Sequence, residues 1–254
     1  MASTVDNAME GGMRDPIFNN FSTILDRKCS EGDSGNSSND VKTEPKVEVM
    51  DFLTKRNPAA EKKGWIIRNS LSASECSSLI AASEASGYQP AEEFCFMYAR
   101  RNNDRMMCDD KDLAAYLWER VAPCIPEVLT FDGRHLWRAY KLNARFRICR
   151  YYSGGHFGIH SDGTFAYDED HRSFLTCMFY LNEGNGVDFN GGTTDFIENT
   201  IDRGVQYRLV PSTGLCVVFK QMDSDCLHCG TELTSGTKYI LRTDVMFERV
   251  KSDV

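Results

Sequence analysis

A histidine and an aspartate stand two residues apart in His160-Ser161-Asp162. On an extended strand this spacing directs both side chains to the same face, so an imidazole and a carboxylate can bind one metal ion. His228, in the last third of the chain, is the candidate for a third ligand. Two histidines and one carboxylate leave coordination positions open on Fe(II), and these positions suit a cosubstrate and oxygen.

Other interpretations of the same residues stay open. Histidines with purely structural hydrogen bonds would give the same pattern. Cys226 and Cys229 flank His228 and suggest half of a zinc site or a redox pair, but the sequence has no second Cys-x-x-Cys motif to complete a zinc site. A zinc hydrolase with these ligands would need a general base near the metal, and the sequence identifies none.

A basic residue follows His228 at the start of another predicted strand, in Gly236-Thr237-Lys238. If Lys238 points inward it needs an anionic partner, because a buried unpaired charge is costly. A dicarboxylate that chelates iron at one end and meets Lys238 at the other would supply that partner. Arg242 shares the same strand face and is a second candidate, unless it points to solvent.

Five ordered segments resemble one enzyme family. They are Arg150 to Asp162, with an Arg-Tyr pair, a glycine turn and His-x-Asp; Ser173 to Asn182; Asn190 to Phe196; Val210 to Phe219; and His228 with Gly236 and Lys238. In this order they are similar to the prolyl 4-hydroxylase-type 2-oxoglutarate/Fe(II) dioxygenases.

The resemblance implies a double-stranded β-helix, or jelly roll, with Fe(II) in its mouth. It implies 2-oxoglutarate and oxygen as cosubstrates, with ascorbate as a further candidate cofactor. It also implies hydrogen bonds from Tyr151 and Thr176 to 2-oxoglutarate, and an ion pair with Lys238. The expected reaction is hydroxylation of a carbon centre, first of all a prolyl or other residue of a peptide or protein, with release of succinate and carbon dioxide. A small-molecule hydroxylase and a catalytically silent binding module are the alternatives.

Hydrophobic periodicity predicts an α+β fold, with N-terminal helices packed on one outer face of the jelly roll. The predicted helices cover Leu71 to Gly87 and Asp110 to Val121. The predicted strands are Trp65 to Ile67, Arg145 to Tyr152, Phe174 to Leu181, Leu215 to Lys220 and Lys238 to Phe247. The segment Ala99 to Arg105 is predicted to be an exposed loop, whose arginines could favour an acidic target.

Composition limits the partners and the domain organisation. The 254 residues carry a net charge of -8 with a pI of about 5.2 and no basic stripe, so we expect no nucleic-acid partner and no membrane association. Ten cysteines without a secretory signal predict free thiols and a cytoplasmic or nuclear location. Residues 1–48 are predicted to be a disordered tail, and 49–254 to be the dioxygenase domain, with its β-helix core at about 137–249. The sequence does not indicate the oligomeric state.

Overall fold

The computed structural model describes residues 45–50, 64–91, 101–131 and 133–251. The strands are β1 (Lys46–Val49), β2 (Gly64–Arg68), β3 (Gln89–Pro90), β4 (Arg101–Asn102), β5 (Asp104–Asp109), β6 (Val128–Thr130), β7 (Leu136–Leu142), β8 (Arg145–Tyr151), β9 (His156–His160), β10 (His171–Tyr180), β11 (Phe189–Gly191), β12 (Thr194–Ile197), β13 (Val205–Leu209), β14 (Cys216–Lys220), β15 (His228–Gly230), β16 (Leu233–Gly236) and β17 (Lys238–Arg249). The helices are α1 (Ala73–Ser86) and α2 (Lys111–Val121), with 3-10 turns at Ala122–Cys124 and Ser224–Cys226.

Both helices begin at capping residues. The Ser72 hydroxyl accepts a hydrogen bond from the Glu75 backbone N–H, and the Glu75 carboxylate accepts one from the Ser72 N–H, which forms a capping box. The Asp110 carboxylate accepts hydrogen bonds from two backbone amides in the first turn of α2. The helices predicted over Leu71 to Gly87 and Asp110 to Val121 are confirmed.

Most of the strands belong to two antiparallel sheets. The larger sheet has ten strands in the order β1-β2-β14-β10-β17-β8-β5-β3, with β7 paired to β17 and β6 paired to β7. The smaller sheet has five strands in the order β13-β12-β15-β9-β4, while β11 pairs separately with β16. Many paired strands are distant in sequence, which is typical of a jelly-roll-like β fold.

The first hydrophobic core joins the helices to the ten-stranded sheet. It contains Leu79 of α1, Leu117 of α2, Phe146 of β8 and Leu241 of β17, all fully buried. This cluster therefore occupies one face of the sheet.

The second core lies on the opposite face of the ten-stranded sheet. It combines Tyr151 and Ile240, from β8 and β17, with Phe196 from β12 of the five-stranded sheet. Because alternate residues of a strand point to opposite faces, β8 and β17 supply both cores. The space between the two sheets is also where the predicted site residues lie.

The prediction of an exposed loop from Ala99 to Arg105 was wrong. β4 and the first residues of β5 lie inside that segment, and they pair with β9 and β8 respectively. Its polar composition suggested a loop, but these strands turn a polar face toward a cavity. Residues 99 and 100 lie outside the described residues.

The predicted domain limits differ from the strands at two points. β1 begins at Lys46 and pairs with β2, so the last residues of the predicted tail, 1–48, belong to the ten-stranded sheet. Strands β1, β2, β3 and β5 precede residue 137, so this sheet extends beyond the predicted core at 137–249. Residues 1–44 lie outside the described residues.

Within the described ranges, no helix combines the length and the apolar character that a membrane span requires. The eight described cysteines are free, and six of them are buried. The predicted free thiols are therefore confirmed for the described part of the chain.

Candidate metal centre and cosubstrate cavity

His160, Asp162 and His228 come together at the end of the five-stranded sheet. His160 ends β9 and His228 begins β15, and the two are directly paired across these neighbouring strands. Asp162 follows β9, and its carbonyl oxygen accepts a hydrogen bond from Met222 N. Among the described residues, this is the one group of three His, Cys, Asp or Glu side chains whose ligand atoms all lie within 4.8 Å of one another.

Hydrogen bonds orient both imidazoles. Nδ1 of His160 donates to Gly158 O over 2.8 Å, and Nδ1 of His228 donates to Cys226 O over 3.0 Å. Since a carbonyl oxygen only accepts, Nδ1 carries a hydrogen, and a neutral ring held in this way offers the lone pair of Nε2 to a metal. The two Nε2 atoms face Asp162, at 3.5 Å from Oδ1 and 3.9 Å from Oδ2. These separations leave room for an ion bound to all three groups.

The ionisation states also suit a metal. Burial lowers the pKa of His228 to about 4, with His160 adding to the shift, so the imidazole is neutral at pH 7. Burial alone would raise the pKa of Asp162, but Arg242 and the two histidines outweigh that effect and hold it well below its usual range. A charged carboxylate and a neutral imidazole are the forms that bind divalent metals.

Two side chains fix the Asp162 carboxylate. Thr176 on β10 donates its hydroxyl hydrogen to Oδ2 over 2.6 Å, and Arg242 on β17 forms an ion pair with Oδ1 at 2.9 Å. Behind Thr176, Gln221 donates over 2.7 Å to Asp244, so the support is itself held in place. All of these groups except Arg242 are almost completely buried.

Lys238 lies at the other end of the cavity. It pairs across the sheet with Tyr151, and its Nζ lies 5.6 Å from the Tyr151 ring centroid and 5.4 Å from that of Tyr180. Nζ donates to Gly192 O over 2.6 Å, and no carboxylate of the described residues lies within ion-pair distance. Burial lowers the pKa of this ammonium to about 8. Lys238 is therefore a buried cation that lacks an anion.

Gly192 has to be glycine for this arrangement. Its φ is +63°, which side chains rarely adopt, and a Cβ there would press on Leu233 and come within 3.3 Å of the Lys238 side chain. The residue thus permits both the turn and the close approach of the lysine to the backbone.

The cavity brings together six of the seven predicted site residues. Its lining includes His160, Asp162, His228, Tyr151, Lys238 and Arg242. Thr176 does not line it, because its hydroxyl is directed to Asp162 instead. A direct contact between Thr176 and 2-oxoglutarate is therefore not supported by the geometry, whereas a role in holding Asp162 is.

Sequence reasoning missed several lining residues, among them Arg147 on β8 and Phe157 on β9. Arg147 could have been identified by strand alternation, since it lies on the same face as Tyr151. Phe157 stacks on His160 with ring centroids 3.7 Å apart. No composition signal distinguishes such a ring from an ordinary core residue.

The donor set fits Fe(II) and 2-oxoglutarate. Two imidazoles and one carboxylate occupy one side of the ion site, which is the ligand set of non-haem Fe(II) oxygenases. The buried, anion-free Lys238 suits the distal carboxylate of the cosubstrate.

Comparison with known proteins agrees with this geometry. Residues 146–243 match the family model described as the 2OG-Fe(II) oxygenase superfamily. A search of the curated proteins found no match.

Solved structures share the fold at low sequence identity. A viral collagen prolyl hydroxylase from Paramecium Bursaria Chlorella virus-1, in its 2OG complex, is 19% identical with a TM-score of 0.51; the match covers 74% of this chain and 97% of that one. A Trichoplax adhaerens prolyl hydroxylase, in complex with a hypoxia inducible factor peptide fragment, is 15% identical with a TM-score of 0.52; the match covers 77% of this chain and 87% of that one.

The matched residues begin with the second residue of β8 and include the metal cluster and Lys238. We conclude that residues 146–243 are a domain of the 2OG-Fe(II) oxygenase superfamily and that the chain carrying them is a 2-oxoglutarate-dependent dioxygenase.

Proposed function

We propose that this enzyme hydroxylates a carbon centre of a peptide or protein, most readily a prolyl residue, and releases succinate and carbon dioxide. One observation carries the proposal. The metal cluster and the anion-free Lys238 line a single cavity, as a chelating dicarboxylate cosubstrate requires. The fold shared with two prolyl hydroxylases supports the choice of a prolyl target.

In this proposal His160, Asp162 and His228 hold Fe(II). When bound, iron with 2-oxoglutarate and oxygen supplies the oxidising chemistry that replaces a C–H bond by C–OH. The protein supplies ligation and orientation. The hydrogen bonds of both histidine Nδ1 atoms to backbone carbonyls keep Nε2 directed at the ion.

Lys238 is assigned to the distal carboxylate of 2-oxoglutarate, beside Tyr151. A buried ammonium binds a carboxylate strongly because the surrounding side chains exclude water. Arg242 is the alternative anchor, but its bond to Asp162 favours a role near the metal. Thr176 acts on Asp162 in this scheme and only through it on the cosubstrate.

The scaffold belongs to the proposal as well. We interpret the two facing sheets as a double-stranded β-helix, with α1 and α2 on the outer face of the ten-stranded sheet, as the first core supports. The division into a tail and a dioxygenase domain, the cytoplasmic or nuclear location and a role for ascorbate stay predictions.

The first test is succinate formation. The chain is purified without oxygen, given Fe(II), 2-oxoglutarate and air, and assayed with and without proline-containing peptides, whose gain of one oxygen atom is followed by mass spectrometry. His160→Ala should abolish succinate formation. His156→Ala is the matched control, since His156 lies on the same strand but outside the metal cluster.

Iron-dependent succinate that vanishes only in His160→Ala, together with an oxidised peptide, would support the proposal. Succinate without oxidation of any peptide would favour a small-molecule substrate. No succinate and no binding of iron or 2-oxoglutarate would overturn the assignment and favour a silent binding module.

A further inference from the structure

Three arginines line the mouth of the cavity beside the metal cluster: Arg101 on β4, Arg105 on β5 and Arg147 on β8. We call them the arginine face. β5 and β8 are neighbours in the ten-stranded sheet. The strand alternation that puts Met106 and Ile148 in the first core puts Arg105 and Arg147 on the opposite, cavity side.

The arginine face has too few carboxylates around it. Among the described residues, neither Arg101 nor Arg105 has one within ion-pair distance, and Arg147 has only Asp244, at 3.7 Å. Asp244 already accepts a 2.7 Å hydrogen bond from Gln221. Within the described part of the chain, these guanidinium groups therefore lack the close carboxylate partners that such groups normally have when partly buried.

Repulsion within the cavity strengthens this point. Arg147 lies directly opposite Arg242 across β8 and β17, and like charges in such positions destabilise a sheet. Nη1 of Arg147 and Nε of Arg242 are buried, and neither has a hydrogen-bond partner among the described residues. Burial and the neighbouring guanidinium of Arg101 lower the pKa of Arg105. An anion held between these groups would reduce the repulsion between the guanidinium groups and would accept hydrogen bonds from the buried N–H groups.

The arginine face is tied to the metal cluster through one ring. Arg101 lies over Phe157, with the guanidinium carbon 5.6 Å from the ring centroid. The same ring stacks on His160, with the two ring centroids 3.7 Å apart. An anion bound by these arginines would thus lie beside the opening that leads to the metal.

The positive charge of the arginine face contrasts with the negative charge of the whole chain. The net charge is -8, so the positive potential at the cavity mouth is a local feature and not a property of the surface at large. A cleft lined by one sign of charge concentrates ligands of the other sign.

We propose that the arginine face binds an anionic group of the peptide substrate, a carboxylate or a phosphate, close to the residue that is hydroxylated. That the bound peptide is a substrate rests on the proposed function. The anion site itself rests on the arginines alone. Lys238 serves a different anion, because it lies at the far end of the cavity beside Tyr151.

The test measures binding of labelled peptides to the full-length chain by fluorescence anisotropy. Each peptide carries one proline in a neutral background, and one neighbouring position, scanned on both sides of the proline, holds Glu, Gln, phosphoserine or Ser. At the preferred position we expect the Glu or phosphoserine peptide to bind about tenfold more tightly than its neutral counterpart, as one charge-assisted hydrogen bond would give. The advantage should decrease as salt increases.

Arg105→Gln and Arg147→Gln should each remove most of this discrimination. Arg145→Gln is the matched control: Arg145 lies on the same strand as Arg147, but it pairs with Asp109 at 2.7 Å and does not line the cavity. Comparing charged with neutral peptides within each variant cancels a general loss of folded protein, and the same comparison in the unmodified chain needs no variant at all.

Preference for Glu alone would identify a carboxylate as the anion, preference for phosphoserine alone a phosphate, and preference for both their shared charge. Equal binding of charged and neutral peptides, or discrimination that survives in both glutamine variants, would overturn the inference. If succinate forms but charge does not matter, only this inference fails. If charged peptides bind through Arg105 but no succinate ever forms, the anion site stands and the proposed hydroxylation fails.

Discussion

Thr176 donates its hydroxyl hydrogen to Oδ2 of Asp162 over 2.6 Å, and both side chains are at most 5% exposed. Thr176 lies on the central strand β10, whereas Asp162 follows β9 of the other sheet. The hydrogen bond therefore connects the two sheets at the metal cluster. It sets the orientation of the carboxylate that would bind the ion.

Thr176→Val should weaken metal binding about 10- to 100-fold, the usual loss when a group that orients a ligand is removed. Thr176→Ser keeps the hydroxyl and should stay close to the unmodified chain. Titration with Mn²⁺ as a spectroscopic substitute for Fe(II) measures the affinity directly. If Thr176→Val instead leaves metal affinity intact and raises the 2-oxoglutarate requirement, then Thr176 contacts the cosubstrate as the family resemblance implies.

Asp162→Asn should abolish stable metal binding and succinate formation while the fold remains. We choose asparagine because Asp162→Ala would leave Arg242 buried without its 2.9 Å partner, which costs stability as well as function. Circular dichroism verifies folding, and metal content after dialysis measures the loss. Retention of iron at the level of the unmodified chain would remove Asp162 from the ligand set.

The local part of the site could be predicted from the sequence because it depends on strand alternation. His160 and Asp162 share a face at a spacing of two residues, and Lys238 and Tyr151 point inward from strands that the hydrophobic pattern identifies. The order of motifs along the chain added His228. The helices could also be predicted from local signals, since a capping box involves only neighbouring residues.

The rest depends on which strands become neighbours. Arg105 and Arg147 converge because β5 pairs with β8, and no periodicity within either segment specifies that pairing. The contact of Thr176 with Asp162 likewise depends on the packing of one sheet against the other. A polar, turn-rich composition then favoured a loop where β4 and β5 lie, since composition does not reveal a cavity wall.

Lys238→Met should raise the 2-oxoglutarate concentration needed for half-maximal succinate formation by at least about 10-fold, because a buried charge-assisted contact is lost. Methionine keeps most of the side-chain volume, so the cavity should not collapse. Arg242→Met is the informative comparison. If it shifts the 2-oxoglutarate dependence more than Lys238→Met does, the anchor is Arg242, and Lys238 has another role.

The pH dependence of stability should also reveal the lowered pKa of the buried Lys238 ammonium. Burial lowers its pKa from 10.5 to about 8, so between these values the folded protein without cosubstrate holds fewer protons than the unfolded chain. The contribution of Lys238 to the free energy of unfolding therefore becomes more favourable as pH rises from 8 to 10.5. Below pH 8 the buried charge lowers the free energy of unfolding by about 3 kcal/mol. Lys238→Met removes this cost but also the hydrogen bond to Gly192 O, which offsets part of the gain.

We therefore expect the stability of Lys238→Met relative to the unmodified chain to be highest at pH 7 and to fall as pH approaches 10. Thermal unfolding of both proteins across that range, without 2-oxoglutarate, measures the difference and cancels the other groups that titrate there. At the same concentration, 2-oxoglutarate should stabilise the unmodified chain more than Lys238→Met, since an anion that pairs with Lys238 restores the charged form. A difference that does not change with pH would mean that the lysine is already charged and paired in the folded protein.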